Sequence, residues 1–193
     1  MKLILASASP RRAEILRNAG FRFSVWPTDT DESRVDCESV TEYVTRIAGL
    51  KAVDATARAK ARGDSAIVIA ADTVVFADGQ ILGKPKDAED ARRMLRILSG
   101  GVHDVVTGFA IMKTSYAAPE ISVETTRVHF AGLSDTEIDE YVRTGEPMDK
   151  AGSYGIQGIG GRFVTKIEGC YFNVMGLPLS RVWQTLNGLD QAR

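Results

Sequence analysis

The chain has 193 residues, 44% hydrophobic and 25% charged, which is enough apolar material for a sizeable core and argues against disorder. Its net charge of −1 excludes a bulk basic field for nucleic acid or for an acidic membrane surface. Two cysteines, Cys37 and Cys170, sit in no CxxC spacing, which argues against a disulfide framework and points to a reducing cytoplasm.

In chain order, residues 2–6 form an apolar run ending in small residues, which predicts a short buried strand. The run is too short for a signal peptide, and an arginine pair follows where cleavage would fall. No apolar stretch reaches membrane-spanning length. Ser9 and Pro10 suit the N-cap and first position of a helix over "RRAEILRNAG", closed by Gly20. "FRFSVWPTDTDES" reads as a strand running into an acidic loop. Ser39 and Glu42 make a capping box for a long helix reaching about Arg62, with Gly63 as its stop. "SAIVIAADTVVFADG" predicts a long buried strand whose polarity breaks at Asp72 and Thr73, and "DGQILGKP" a turn and a short strand. Asp87 caps the helix "AEDARRMLRILSG", which ends at Gly100 and Gly101. "HDVVTGFAIMK" and "ISVETTRVHF" read as paired strands. Ser134 and Glu137 cap a further helix, ended by Gly145; a glycine-rich loop "DKAGSYGIQGIGGRF" follows. "FVTKIEGCYFNVMG" reads as a strand or hairpin, and Pro178 opens a last helix closed by Gly188. The irregular alternation predicts a mixed α/β sheet in a single domain over residues 1–193.

Several residues do not fit these elements. Arg11 and Arg12 open a helix whose dipole is already positive there, so they repel it unless an anion sits among them. Small loop residues, a helix N-terminus and two guanidinium forks suit phosphate; solvation, or pairing with Glu14 or the acidic loop, is the plainer alternative. Lys51 shares an apolar helix face with Val40, Val44 and Ile47, where it must snorkel or meet a negative partner, snorkelling being the commoner outcome. Asp72 interrupts the most apolar run in the chain, which favours a functional carboxylate over a paired structural one. Lys84 in "GKP" and Glu32 in "DTDES" read first as exposed; they could also serve a phosphate and a hard cation. "GIQGIGG" has the pattern of a backbone cradle around a ligand, with Gln157 suited to a base edge. His103 and His129 read as ordinary strand residues. Tyr154, Tyr171 and Phe172 read as core, with stacking on a ligand as the alternative. As a set, these cations, carboxylates and amide suit a polyphosphate bound with a divalent metal.

The stretches "LASASPRRAEIL", "AADTVV", "ILGKPKDAEDARRML", "LSGGVHDVVTG", "DKAGSYGIQGIGG" and "NVMGLPLS" closely resemble the Maf family of nucleoside triphosphate pyrophosphatases, nearly end to end. The resemblance implies a mixed α/β fold like that of inosine triphosphate pyrophosphatase, with two lobes around a cleft. It implies hydrolysis of a nucleoside triphosphate to the monophosphate and pyrophosphate with Mg²⁺ or Mn²⁺. Position by position, it assigns Ser7, Arg11 and Arg12 to phosphate, Glu32 and Asp72 to the metal, and Asp72, Lys51 and Lys84 to catalysis. Thr73, Lys150 and Gln157 are assigned to the substrate, and the loop "DKAGSYGIQG" resembles that of the dTTP and UTP subgroup. The implied setting is a cytoplasmic homodimer with no nucleic acid or membrane partner. Rival readings are a pyrophosphatase for 7-methyl-GTP or other non-standard nucleotides, and a nucleotide-sensing regulator of cell division.

Overall fold

The structure, a computed structural model, describes residues 1–191. Its elements run β1 (Lys2–Ala6), α1 (Pro10–Asn18), β2 (Ser24–Val25), α2 (Val40–Ala61), β3 (Ala66–Ala77), β4 (Gln80–Leu82), α3 (Ala88–Leu98), β5 (Val102–Lys113), β6 (Glu120–Phe130), α4 (Asp135–Arg143), β7 (Val164–Glu168), α5 (Tyr171–Val174) and α6 (Leu179–Gln191). Three short 3-10 turns lie between α4 and β7. The strands pair in the order β2-β1-β3-β5-β6-β7, with β4 also on β3. Pairings of both directions occur, so the sheet is mixed, as expected.

The local signals hold where a side chain meets its own backbone. Ser39 Oγ accepts from the Glu42 amide and Glu42 reaches back to Ser39, which closes the expected capping box. Ser134 and Glu137 do the same for α4, and Asp87 caps α3. Two expectations need correction, while the stretch read as a strand or hairpin forms the strand β7 and then turns through Gly169 into the single helical turn α5. That turn leaves Tyr171 and Phe172 exposed, whereas Tyr154 is core. Gly188 does not close the last helix, because α6 runs through it to Gln191.

The chain divides into two compact units. The first takes residues 1–72, 107–124 and the chain from Gly176 on. In it β1 runs parallel to β2 on one side and to β3 on the other, from Lys2↔Ala66 to Ala6↔Ala70. Helix α2 turns Ala48, Ala52, Ala55 and Ala59 inward against Ile4, Ala6, Val68, Ala70, Ala110 and Met112. Small residues at helical spacing let the helix axis come close. The helix comes close at Gly108 of β5, where a Cβ would lie 2.4 Å from the Val44 carbonyl oxygen.

The second unit takes residues 73–106 and 125–175. There β3 turns back on β4 through Asp78 and Gly79, both at positive φ, the turn a tight hairpin demands. Its core joins Leu82, Met94, Leu95 and Leu98 to Val128, Phe130, Tyr141, Tyr154 and Phe163. The aromatic rings meet edge to face, Phe130–Tyr154 at 4.8 Å and Tyr141–Phe163 at 5.1 Å between centroids. Among the described residues no helix is long and apolar enough to cross a membrane.

Candidate active site

In the first unit, β1 delivers the chain into the loop before α1. Ser9 stands at the N-cap position, but its side chain makes no capping bond. Instead Ser7 turns its hydroxyl inward, where Oγ accepts from the Ser9 amide at 3.2 Å and from Arg12 Nη1 at 3.1 Å. The first turn of α1 holds no acidic residue, and Pro10 brings no amide hydrogen. Arg12 is buried. Its Nε donates to the Gly176 carbonyl and its Nη1 to the Ala71 carbonyl, both at 2.8 Å. Burial lowers its proton affinity; Asp72 opposes that, Arg11 adds to it, and Glu32 opposes it in turn. The two arginines therefore differ: Arg12 is a buried strut between three segments, and Arg11 is only half-buried beside it.

Lys51 does not snorkel. It is 7% exposed, and its Nζ donates to Asp72 Oδ1 at 2.9 Å and lies 2.6 Å from Glu32 Oε1. The snorkelling expectation fails because the helix face carrying Lys51 turns toward β3, where the one carboxylate of the apolar run waits. Asp72 is buried, while the Glu32 side chain is 53% exposed. Glu32 is held by a framework that sequence reasoning missed. Tyr43 donates its hydroxyl to the Glu32 carbonyl at 3.0 Å, and Arg46 Nη2 donates to the Ser33 carbonyl at 3.0 Å. Arg46 also forks onto Glu38 at 2.6 and 2.8 Å. Burial, with the charges of Asp72 and Glu32, pushes the Tyr43 hydroxyl up to about 12, so it stays a donor. Helical spacing was the only available signal, since Tyr43, Arg46 and Lys51 all rise from α2.

This donor set suits a hard divalent cation. Two carboxylates already converge on one positive centre, and all their donor atoms are oxygens. Among the described residues no group of three or more histidine, cysteine or carboxylate side chains gathers as a metal cage. Magnesium sites of this sparse kind take one or two carboxylates and complete themselves with substrate phosphates and water.

The other candidates belong to the second unit. Thr73 follows Asp72 along β3 and is half-buried. Lys84 is exposed just past β4, in a loop whose Gly83 carbonyl accepts from the Gly152 amide at 3.1 Å. Lys150 Nζ donates to the Glu146 carbonyl and to Asp149 Oδ1, both at 2.6 Å. Gln157 is exposed. The loop around it does cradle an anion, but that anion is a side chain of the protein, Glu146. Nothing in the linear pattern marks Glu146 for that place.

A family model described as Maf-like protein matches residues 2–189. A protein of Clostridium perfringens (strain SM101 / Type A) named dTTP/UTP pyrophosphatase is 46% identical over 191 residues, covering 98% of each chain. Proteins of the same name from Koribacter versatilis (strain Ellin345) and Vibrio cholerae serotype O1 are 50% and 48% identical over 186 residues. Those alignments cover 96% of this chain and 93% and 97% of the relatives. A solved nucleoside-triphosphatase / dITP/XTP pyrophosphatase from Mycobacterium abscessus aligns at a TM-score of 0.37 and 16% identity over 69% of this chain and 74% of its own, too slight a likeness to carry argument.

Proposed function

The chain belongs to the Maf family, and on that premise we propose that it hydrolyses dTTP and UTP to the monophosphate and pyrophosphate. The observation that carries the reading is the buried Lys51, closed between Asp72 and Glu32 beside the Arg12 strut. A binding protein has no need of a carboxylate buried among so many cations; a hydrolase does.

In this reading water adds to the α-phosphorus, the bond from that phosphorus to the α–β bridging oxygen breaks, and pyrophosphate leaves with that oxygen. Asp72 orients the water and takes its proton. Lys51, Arg11 and Arg12 stabilise the charge that builds on the phosphate oxygens, and Ser7 fixes the loop that presents them. Glu32 and Asp72 would hold Mg²⁺ or Mn²⁺, which when bound neutralises triphosphate charge. Coordination lowers the basicity of a carboxylate, so any share Asp72 takes in holding the cation works against its role as base. For Lys84 as a catalytic cation, and for Thr73, Lys150 and Gln157 on the nucleotide, the resemblance supports the role. It also supports a cytoplasmic homodimer as the setting.

The test is pyrophosphate release from a panel of nucleoside triphosphates with Mg²⁺ or Mn²⁺, for wild type and Asp72→Asn. Release from dTTP and UTP, lost by about 10²-fold or more in the variant while nucleotide still binds, supports the proposal. Release only from purine or 7-methylated nucleotides overturns the pyrimidine assignment and leaves the hydrolase. Binding with no release from any nucleotide overturns the hydrolase in favour of a nucleotide sensor.

A further inference from the structure

We propose that Glu146 is a positioning residue that fixes the glycine-rich loop 155–161 and thereby sets the nucleotide selectivity exerted by Gln157; this rests on the reading above that Gln157 contacts the nucleobase. Glu146 opens the 3-10 turn Glu146–Asp149 directly after Gly145, whose positive φ ends the preceding helical segment. Its Oε1 accepts from the Tyr141 hydroxyl at 2.8 Å and from the Gly160 amide at 3.0 Å, and its Oε2 accepts from the Ile159 amide at 2.9 Å. Two successive loop amides aimed at one carboxylate form the kind of nest that holds anions.

The glycines are explained by the same contact. A Cβ at Gly158 would lie 2.5 Å from Glu146 Oε2, one at Gly160 would lie 2.4 Å from the Tyr141 hydroxyl oxygen, and one at Gly155 would lie 2.6 Å from Lys150 Cε. The loop is thus pressed onto Glu146, Tyr141 and Lys150 at three points, and Gln157 stands between the first two of its glycines. Burial pushes the Glu146 carboxyl up, but the bonds from Gly160, Ile159 and Tyr141 outweigh it and hold the group below the usual range, so it is an anion at neutral pH. Glutamine cannot replace it. All three partners are donors, on both carboxylate oxygens, so either orientation of an amide sets NH₂ against a backbone N–H.

The experiment compares wild type, Glu146→Gln, Gln157→Ala and the double variant in two readouts. One is hydrogen exchange at the Ile159 and Gly160 amides; the other is KM and kcat for UTP and dTTP against purine triphosphates. In Glu146→Gln the two amides are expected to exchange at least about tenfold faster, and KM for the pyrimidine nucleotides to rise about tenfold with kcat changed less than about threefold. The double variant is expected to select no worse than Gln157→Ala alone. Faster exchange with unchanged KM and selectivity makes Glu146 merely structural and overturns the proposal, as do losses that add in the double variant. A Gln157→Ala enzyme with unaltered selectivity overturns the base-reading role of Gln157 itself, and this proposal with it. Should Glu146→Gln fail to fold, Tyr141→Phe removes one of the three bonds to Glu146, together with the acceptor of the Gly155 amide, and keeps the carboxylate. It is expected to show the same changes at about threefold, and unchanged values overturn the proposal.

Discussion

Replacing Lys51 by methionine isolates the ammonium group. Methionine keeps the length of the stem and nearly the helix propensity of lysine, so α2 itself is undisturbed. What disappears is the cation 2.9 Å from Asp72 and 2.6 Å from Glu32. Removing one member of a buried pair leaves an uncompensated charge, a loss of about 3–5 kcal/mol. Two features set this case near the lower end. Glu32 is 53% exposed and can turn to water, and Arg12 still lends positive charge to Asp72. We therefore expect Lys51→Met to unfold at lower urea, with stability reduced by about 3 kcal/mol at pH 7. For a chain of this length that is a fall in Tm of about 6–12 °C. Asp72→Asn made in the Lys51→Met background removes the stranded charge and is expected to recover most of the loss, a coupling of about 2 kcal/mol in a double-mutant cycle. The reasoning is refuted if Lys51→Met stays within about 0.5 kcal/mol of wild type, or if the two substitutions simply add.

Two further outcomes follow from packing and titration. Gly108→Ala places a methyl group 2.4 Å from the Val44 carbonyl oxygen and 2.9 Å from the Thr45 amide nitrogen, both backbone atoms of α2. The helix must move, and a loss of about 3 kcal/mol is expected; a Tm within about 2 °C of wild type would contradict the close approach. His103 is buried with Nε2 at 2.9 Å from the Tyr154 hydroxyl, and burial, then the charge of His129, pushes its pKa down to about 4. The unfolded chain takes up that proton near pH 6.5, so between about pH 6.5 and 4 the unfolded state binds more protons and stability falls as pH falls. Between pH 7 and 4.5 wild type should lose about 2–3 kcal/mol more than His103→Phe in urea titrations, and equal losses would count against a neutral buried imidazole.

The parts legible in the sequence are those decided within a few residues. The boxes at Ser39 and Ser134 and the cap at Asp87 are local hydrogen bonds, so spacing alone reveals them. Asp72 was conspicuous because a carboxylate in an apolar run demands a reason. Its partner was not legible. Lys51 lies 21 residues away, and only the register of α2 against β3 decides whether its ammonium reaches solvent or Asp72. Arg12 was conspicuous as a charge, yet besides Ser7 it donates to the carbonyls of Ala71 and Gly176, which carry no residue-specific signal. The glycines of residues 155–161 showed that something comes close; they could not show that it is Glu146 and not a ligand. Of the strand or hairpin read over residues 163–176, the strand forms as β7, and no second strand follows because Gly169, at φ 127°, redirects the chain into α5.

The Arg12 strut also bears on synthesis. One guanidinium joins Ser7, Ala71 and Gly176, and the last of these bonds spans 164 residues. Contacts so distant in sequence close late, because the intervening chain must be ordered first. A ribosome that has made β1, α1 and the whole of α2 has made Arg11, Arg12 and Lys51 without either of the carbonyls that seat Arg12. The loop before α1 therefore acquires its final shape only as the segment leading into α6 arrives, so a growing chain carries the charges of the candidate site well before it carries the site.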